Sequence, residues 1–233
     1  MSNEARRAVV TGSSSGIGLA VAQTLLAQGW QVAGFDVAPP RISHPGFSAV
    51  EVDLTHGPAT DAAAQEWIGA HALVHAAGVL RVAPLGELSA AEGELMWRLH
   101  VDAASRIAGV LVPEMARNGD GRIVLVGSRV SRGIAGRSQY AATKAALGSL
   151  ARSWAAETVR QGVTVNVVSP AATHTAMLDD PARQSTSPRL PPLGRLIQPE
   201  EVASLVAYLL SPAAAAITGQ DIQICGGASL ELG

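Results

Sequence analysis

The chain has one cysteine and one lysine, few charged residues, no basic cluster and no long apolar run. A single cysteine, Cys225, rules out an internal disulfide. No stretch reaches the length of about eighteen apolar residues that a membrane span needs. The N-terminal "MSNEARRAVVTG" lacks the apolar core of a signal peptide. These features read as a soluble cytoplasmic protein. A net charge of −2 with no basic cluster disfavours nucleic acid and anionic membrane as partners. Charged residues make up 15% of the 233 and hydrophobic residues 48%, which is not the composition of a disordered chain. Of the 17 basic residues all but Lys144 are arginine, so the position of that lysine needs a reason.

Short Val- and Ile-rich runs alternate with longer helical patterns. The strand candidates are 6–12, 31–36, 47–53, 72–78, 121–128, 163–170 and 219–227. Continuous apolar runs of this length fit strands buried on both faces. Ser89 and Glu92 form a capping-box pattern that opens a long helix running to about Asn118. A second helix is expected over roughly 138–161, and Pro199 marks the start of a third. Alternation along the whole chain predicts an α/β fold, a parallel sheet of about seven strands with helices on both faces. No linker or repeat interrupts it, so residues 1–233 are expected to form one domain. The Pro- and Ser-rich stretch 178–195 reads as a loop or short substrate lid.

"VVTGSSSGIGLA" joins the first strand to the first helix. Gly12, Gly16 and Gly18 would let the backbone turn tightly and approach a pyrophosphate at the helix N-terminus. A glycine loop alone is a weak signal, and its place between strand and helix strengthens it. Asp36 ends the second strand, eighteen residues after Gly18. A carboxylate there accepts hydrogen bonds from ribose hydroxyls and repels a 2′-phosphate. Ser15, not arginine, precedes Gly16, and the expected cofactor is therefore NAD rather than NADP.

Tyr140 and Lys144 are four residues apart and share one helix face. A phenol titrates near 10 and needs a neighbouring positive charge to act as acid or base near neutrality. A compact ammonium supplies that charge where a planar guanidinium would be bulkier. Ser128 ends the fifth strand, at the carboxyl edge where ligands bind in doubly wound sheets. Its hydroxyl could hold a carbonyl or alcohol oxygen there, although an isolated serine in that place is more often a turn residue.

Together these residues resemble the short-chain dehydrogenase/reductase family. "TGSSSGIG" is similar to its TGxxxGIG loop, "HAAG" (75–78) to its NAAG segment, and Ser128 with "YAATK" to its Ser and YxxxK. "NVVSPAATHTAM" (166–177) and "CGG" resemble its later motifs, so the likeness spans nearly the whole chain in order. The resemblance implies a single-domain Rossmann-type doubly wound fold. It implies that Tyr140 is the general acid/base, that Lys144 lowers its pKa and holds the nicotinamide ribose, and that Ser128 orients the substrate oxygen. Gly12, Ser15, Gly16, Ile17 and Gly18 would line the pyrophosphate. Asp36 would meet the adenosine ribose, and Asp53 and Leu54 the adenine. Ala76, Ala77 and Gly78 would flank the cofactor, with Pro170, Thr173 and Thr175 around the carboxamide. Family members are commonly homotetramers or homodimers packed through the helices that here hold 89–118 and 138–161.

Two departures stand out. His100 takes the place of the family's active-site asparagine, and His75 the first place of NAAG. His100 is read either as part of the proton path or as a core histidine. His71 and His75 do not suggest a metal site, because four residues of strand span about 13 Å. The resemblance implies hydride transfer between nicotinamide and a secondary alcohol or ketone. "HAAGVLRVAPLGELS" and "PLGRLIQPEEVA" are similar to members acting on cyclic dihydrodiol carboxylates, such as 2,3-dihydro-2,3-dihydroxybenzoate dehydrogenases. Arg81, Arg129, Arg132 and Arg137 are either carboxylate ligands or solvated surface charge. Two alternatives stay open: a 3-oxoacyl reductase of the same fold, and a nucleotide-sensing protein without turnover.

Overall fold

The computed structural model describes residues 5–178 and 190–230. Seven strands form one all-parallel sheet: β1 Arg7–Thr11, β2 Gln31–Asp36, β3 Phe47–Glu51, β4 Ala72–His75, β5 Gly121–Val126, β6 Val163–Pro170 and β7 Asp221–Ile224. Their order is β3-β2-β1-β4-β5-β6-β7. The chain winds outward in one direction through β3 and then returns past β1 to build the other half. The crevice above β1 and β4 is therefore the point where the winding reverses, the place a doubly wound sheet offers to a ligand.

The helices are α1 Gly16–Ala27, α2 Gly57–Gln65, α3 Ala90–Trp97, α4 Ala103–Asn118, α5 Ser138–Thr158 and α6 Pro199–Leu210. Successive strand residues face opposite layers. Ala8, Val10, Ala72, Val74, Val124 and Val168 pack under α1 and α6. Val9, Leu73, Ile123, Leu125, Val165 and Val167 pack against α2, α4 and α5. Both faces are apolar, which is why the strands read as continuous hydrophobic runs. A third, smaller apolar cluster of Leu80, Met96, Val130, Tyr140 and Ala141 sits apart from the main layers.

Three expectations need adjustment. The long helix expected over 89–118 is broken by a π-helical turn at Arg98–Asp102, which separates α3 from α4. The capping box is half formed. Ser89 accepts the Glu92 N–H, but the Glu92 carboxylate accepts from Arg81 Nε at 2.8 Å instead of turning back to the cap. The helix expected over 138–161 is α5 followed by a short 3-10 turn at Val159–Gln161. Most of the expected lid, 179–189, lies outside the described residues. Among the described residues no helix is long and apolar enough to cross a membrane, and no group of three or more metal-ligating side chains converges.

Candidate active site

The carboxyl ends of the strands open into one cavity of about 980 Å³. Its wall includes Gly12, Ser15, Gly16, Ile17 and Gly18 from the β1–α1 loop, Asp36 from β2, and Asp53 and Leu54 after β3. Ala76, Ala77 and Gly78 follow from β4, Ser128 from β5, Tyr140 and Lys144 from α5, and Pro170, Thr173 and Thr175 from the end of β6. Every residue expected to bind the cofactor or take part in catalysis lines this cavity except His100; His75, Arg81 and Arg132 are also off its wall.

Gly12 and Gly18 of the loop have no room for side chains. Gly12 adopts φ +68°, a left-handed conformation that disfavours other residues, and a Cβ there would lie 2.9 Å from the Ala77 backbone. A Cβ on Gly18 would lie 2.1 Å from the Gly12 carbonyl oxygen. The two glycines thereby let the first turn of α1 pack closely onto the end of β1 and the segment after β4. Beside it, Asp36 is clamped at both oxygens. The Ser14 N–H donates to Oδ2 and the Ala38 N–H to Oδ1, each at 2.9 Å. An ionised carboxylate has about four acceptor positions, so both oxygens keep capacity for further donors.

Tyr140 and Lys144 are adjacent turns of α5 and both are buried. The ammonium lies 5.9 Å from the phenol ring centre and donates to the Val126 carbonyl, at the end of β5, at 2.8 Å. Burial lowers the Lys144 pKa to about 8. Ser128 caps the 3-10 turn Arg129–Arg132, its Oγ accepting the Val130 N–H at 3.2 Å. The hydroxyl hydrogen of Ser128 is left to point elsewhere.

Behind the cavity wall, two buried histidines form a fixed network. The Val79 N–H donates to His100 Nε2 at 3.0 Å, so the ring hydrogen sits on Nδ1 and is given to Thr143 Oγ1 at 2.9 Å. Thr143 in turn donates to the Tyr140 carbonyl. His75 Nε2 faces the Leu99 carbonyl at 3.1 Å and must donate, so Nδ1 accepts from Thr11 Oγ1 at 3.0 Å. Thr11 Oγ1 also accepts the N–H groups of Ala76 and Ala77, both at 3.0 Å. Every polar atom of this network has a partner. Both histidines are held neutral. Desolvation, reinforced by the Lys144 charge, lowers His75 to about 3 and His100 well below the usual histidine range. Both nitrogens of His100 are engaged, and its ring meets that of Tyr140 edge-on at 5.7 Å.

The network explains the break in the long helix. A π-turn leaves a carbonyl without its helical donor, and here the Leu99 carbonyl, inside that turn, takes the His75 Nε2 hydrogen. Thr11 and Thr143, which tie the network together, were not picked out from the sequence. The only signal was their place inside the "TG" and "YAATK" phrases. His71 is engaged separately, its Nδ1 accepting the Arg7 N–H at 3.1 Å.

Comparison with known proteins gives consistent likenesses. A family model described as enoyl-(acyl carrier protein) reductase matches residues 12–229. The chain is 34% identical to the 3-oxoacyl-[acyl-carrier-protein] reductase of Vibrio cholerae over 97% of its length and 98% of the relative's. It is 33% identical to the 2,3-dihydro-2,3-dihydroxybenzoate dehydrogenase of Escherichia coli, over 95% and 96% respectively. A structure described as a short chain dehydrogenase/reductase family protein superposes with TM-score 0.90 at 32% identity, covering 99% of this chain and all of the other. A 3-oxoacyl (acyl-carrier-protein) reductase from Agrobacterium tumefaciens with NADP bound gives TM-score 0.85 at 26% identity, covering 95% and 93%.

The buried histidines make stability depend on acid. Their folded pKa values lie below the unfolded value of about 6.5, so the unfolded chain binds more protons as pH falls below that value. Stability should be intact above pH about 6.5 and should decline progressively toward pH about 3, by up to ~2.7 kcal/mol per pH unit while two protons are taken up. Denaturant unfolding at pH 7, 6 and 5 measures this slope, and a His75→Asn His100→Asn protein should show a shallower one.

Proposed function

The chain belongs to the short-chain dehydrogenase/reductase family, and we propose that it is an NAD(H)-dependent oxidoreductase that moves a hydride between nicotinamide and a secondary alcohol or ketone. Oxidoreductases of this family act on alcohol and carbonyl groups. The observation that carries the reading is the placement of Ser128, Tyr140 and Lys144 on one wall of a cavity whose opposite end holds the glycine loop and Asp36. A dinucleotide suits that cavity on two counts. Its diphosphate would meet the start of α1, where Gly12, Gly16 and Gly18 line the cavity and the helix N-terminus favours an anion. Its adenosine hydroxyls would meet the two clamped oxygens of Asp36.

When bound, nicotinamide supplies the hydride acceptor or donor. In the oxidative direction Ser128 donates its hydroxyl hydrogen to the substrate oxygen and holds it beside the Tyr140 phenol. Tyr140, as phenolate, takes the alcohol proton, and in the reverse direction returns it. The Lys144 ammonium favours the phenolate by proximity of positive charge. Its anchor on the Val126 carbonyl fixes it to the sheet. His100 acts through what it holds: it pins the backbone of Val79 and, through Thr143, the first turn of α5 that carries Tyr140.

Asp36 supports NAD over NADP, because a fixed carboxylate repels the 2′-phosphate. A second reading, a 3-oxoacyl reductase using NADPH, is favoured by the names of the Vibrio and Agrobacterium relatives and by the NADP in the latter. A homotetramer or homodimer is supported by half-exposed Val110, Leu150 and Trp154 on α4 and α5.

Three measurements test these proposals. Tyr140→Phe should lower kcat by about 10²–10⁴-fold while NADH binding, followed by fluorescence, persists; undiminished turnover would remove the assignment. Steady-state kinetics should give a higher kcat/KM with NADH than with NADPH, and Asp36→Ala should narrow the ratio. The opposite preference in the parent protein selects the second reading. Light scattering should show a dimer or tetramer, and Trp154→Glu should shift it toward monomer.

A further inference from the structure

The charges on the cavity wall are segregated. Among the described residues its two carboxylates, Asp36 and Asp53, lie at the end of β2 and after β3, while its two guanidiniums, Arg129 and Arg137, flank the segment that follows β5. Arg129 directly follows Ser128, and Arg137 lies three residues before Tyr140. Both are half-buried, and neither has an ion pair among the described residues. Most other described arginines are engaged: Arg6 with Asp120, Arg98 with Glu94, Arg106 with Asp61 and Asp102, Arg195 with Glu201. Arg81 is turned to Glu92 and is off the cavity wall, and Arg132 is exposed and off it too. Of the four arginines near the site in sequence, two reach it.

Two partly desolvated guanidiniums with no carboxylate partner among the described residues are suited to an anion that joins them. Their forked donors match the two oxygens of an oxyacid. The surrounding wall is apolar, with Leu80, Val130, Ile134 and Met177. We infer that Arg129 and Arg137 form an anion subsite, and that the substrate carries an oxyacid group, a carboxylate or a phosphate, on the same small skeleton as its reacting alcohol or ketone. The inference rests on the proposal that the Ser128–Tyr140 wall is where the alcohol or ketone binds. The acid group lies against the arginines while the reacting carbon faces Tyr140, so Arg129 and Arg137 select the substrate without taking part in proton or hydride transfer.

Calorimetry with three non-reacting probes tests this: cyclohexanecarboxylate, cyclohexyl phosphate and cyclohexanecarboxamide, each titrated into the protein alone and into the protein saturated with NADH. At least one anion should bind at least about tenfold more tightly than the amide. Arg129→Gln and Arg137→Gln should each reduce that ratio, and the double variant should abolish it while amide binding is retained. The comparison of carboxylate with phosphate identifies the oxyacid. An amide that binds as well as both anions, or a preference that survives in the double variant, overturns the subsite. Failure of NADH to bind would instead count against the dinucleotide reading, and the probes on the protein alone would still report the anion preference.

Discussion

A lone ammonium held out of water, near a phenol and without a carboxylate partner among the described residues, is the constraint around which this site is built. Pairing Lys144 with an acid would make its burial easy and would cancel the charge that, in the proposed chemistry, favours the phenolate. The fold supports it with a neutral group, the Val126 carbonyl at the end of a central strand. The histidines beneath it add no charge of their own, since burial and the ammonium together keep them neutral. Each neutral ring then has one hydrogen to give and one lone pair to receive, and both are used. The result is a floor that is polar, fully hydrogen-bonded and uncharged.

That floor also reshapes the backbone. Because His75 on β4 supplies the hydrogen that the Leu99 carbonyl lacks, the long helix can widen by one π-turn at Arg98–Asp102. The turn brings His100 under Val79 and Thr143, joining the β4 loop to the start of α5. Gly78 is part of the same arrangement: a Cβ there would lie 3.0 Å from His100 Nε2. Loop, helix break and the helix that carries Tyr140 and Lys144 are therefore one mechanical unit.

Much of this was legible beforehand. Continuous Val and Ile runs identify strands covered on both faces, and their alternation with helical segments is enough for the doubly wound sheet. The glycine loop, Asp36, Ser128, Tyr140 and Lys144 were legible because their chemistry depends on local spacing and on strand ends, which the sequence displays directly. The π-turn was not, because its cause is a hydrogen bond between His75 and Leu99, 24 residues apart. The half-formed cap at Ser89 was hidden for the same reason, as Arg81 draws Glu92 away. Nor could the sequence separate Arg129 and Arg137, which reach the cavity, from Arg81 and Arg132, which do not. That distinction depends on which way each side chain leaves a loop.

The scarcity of lysine gives the molecule an unusual titration behaviour. Guanidinium groups stay charged throughout the working range of a protein. Apart from the terminal amine, every cationic side chain on the surface is therefore a fixed charge under alkaline conditions. Above neutrality these cations keep their charge, and the one side-chain amine able to lose its proton sits inside the cavity, where burial lowers its pKa to about 8. Besides the terminal amine, amine-directed reagents would meet one target, and it lies inside that cavity.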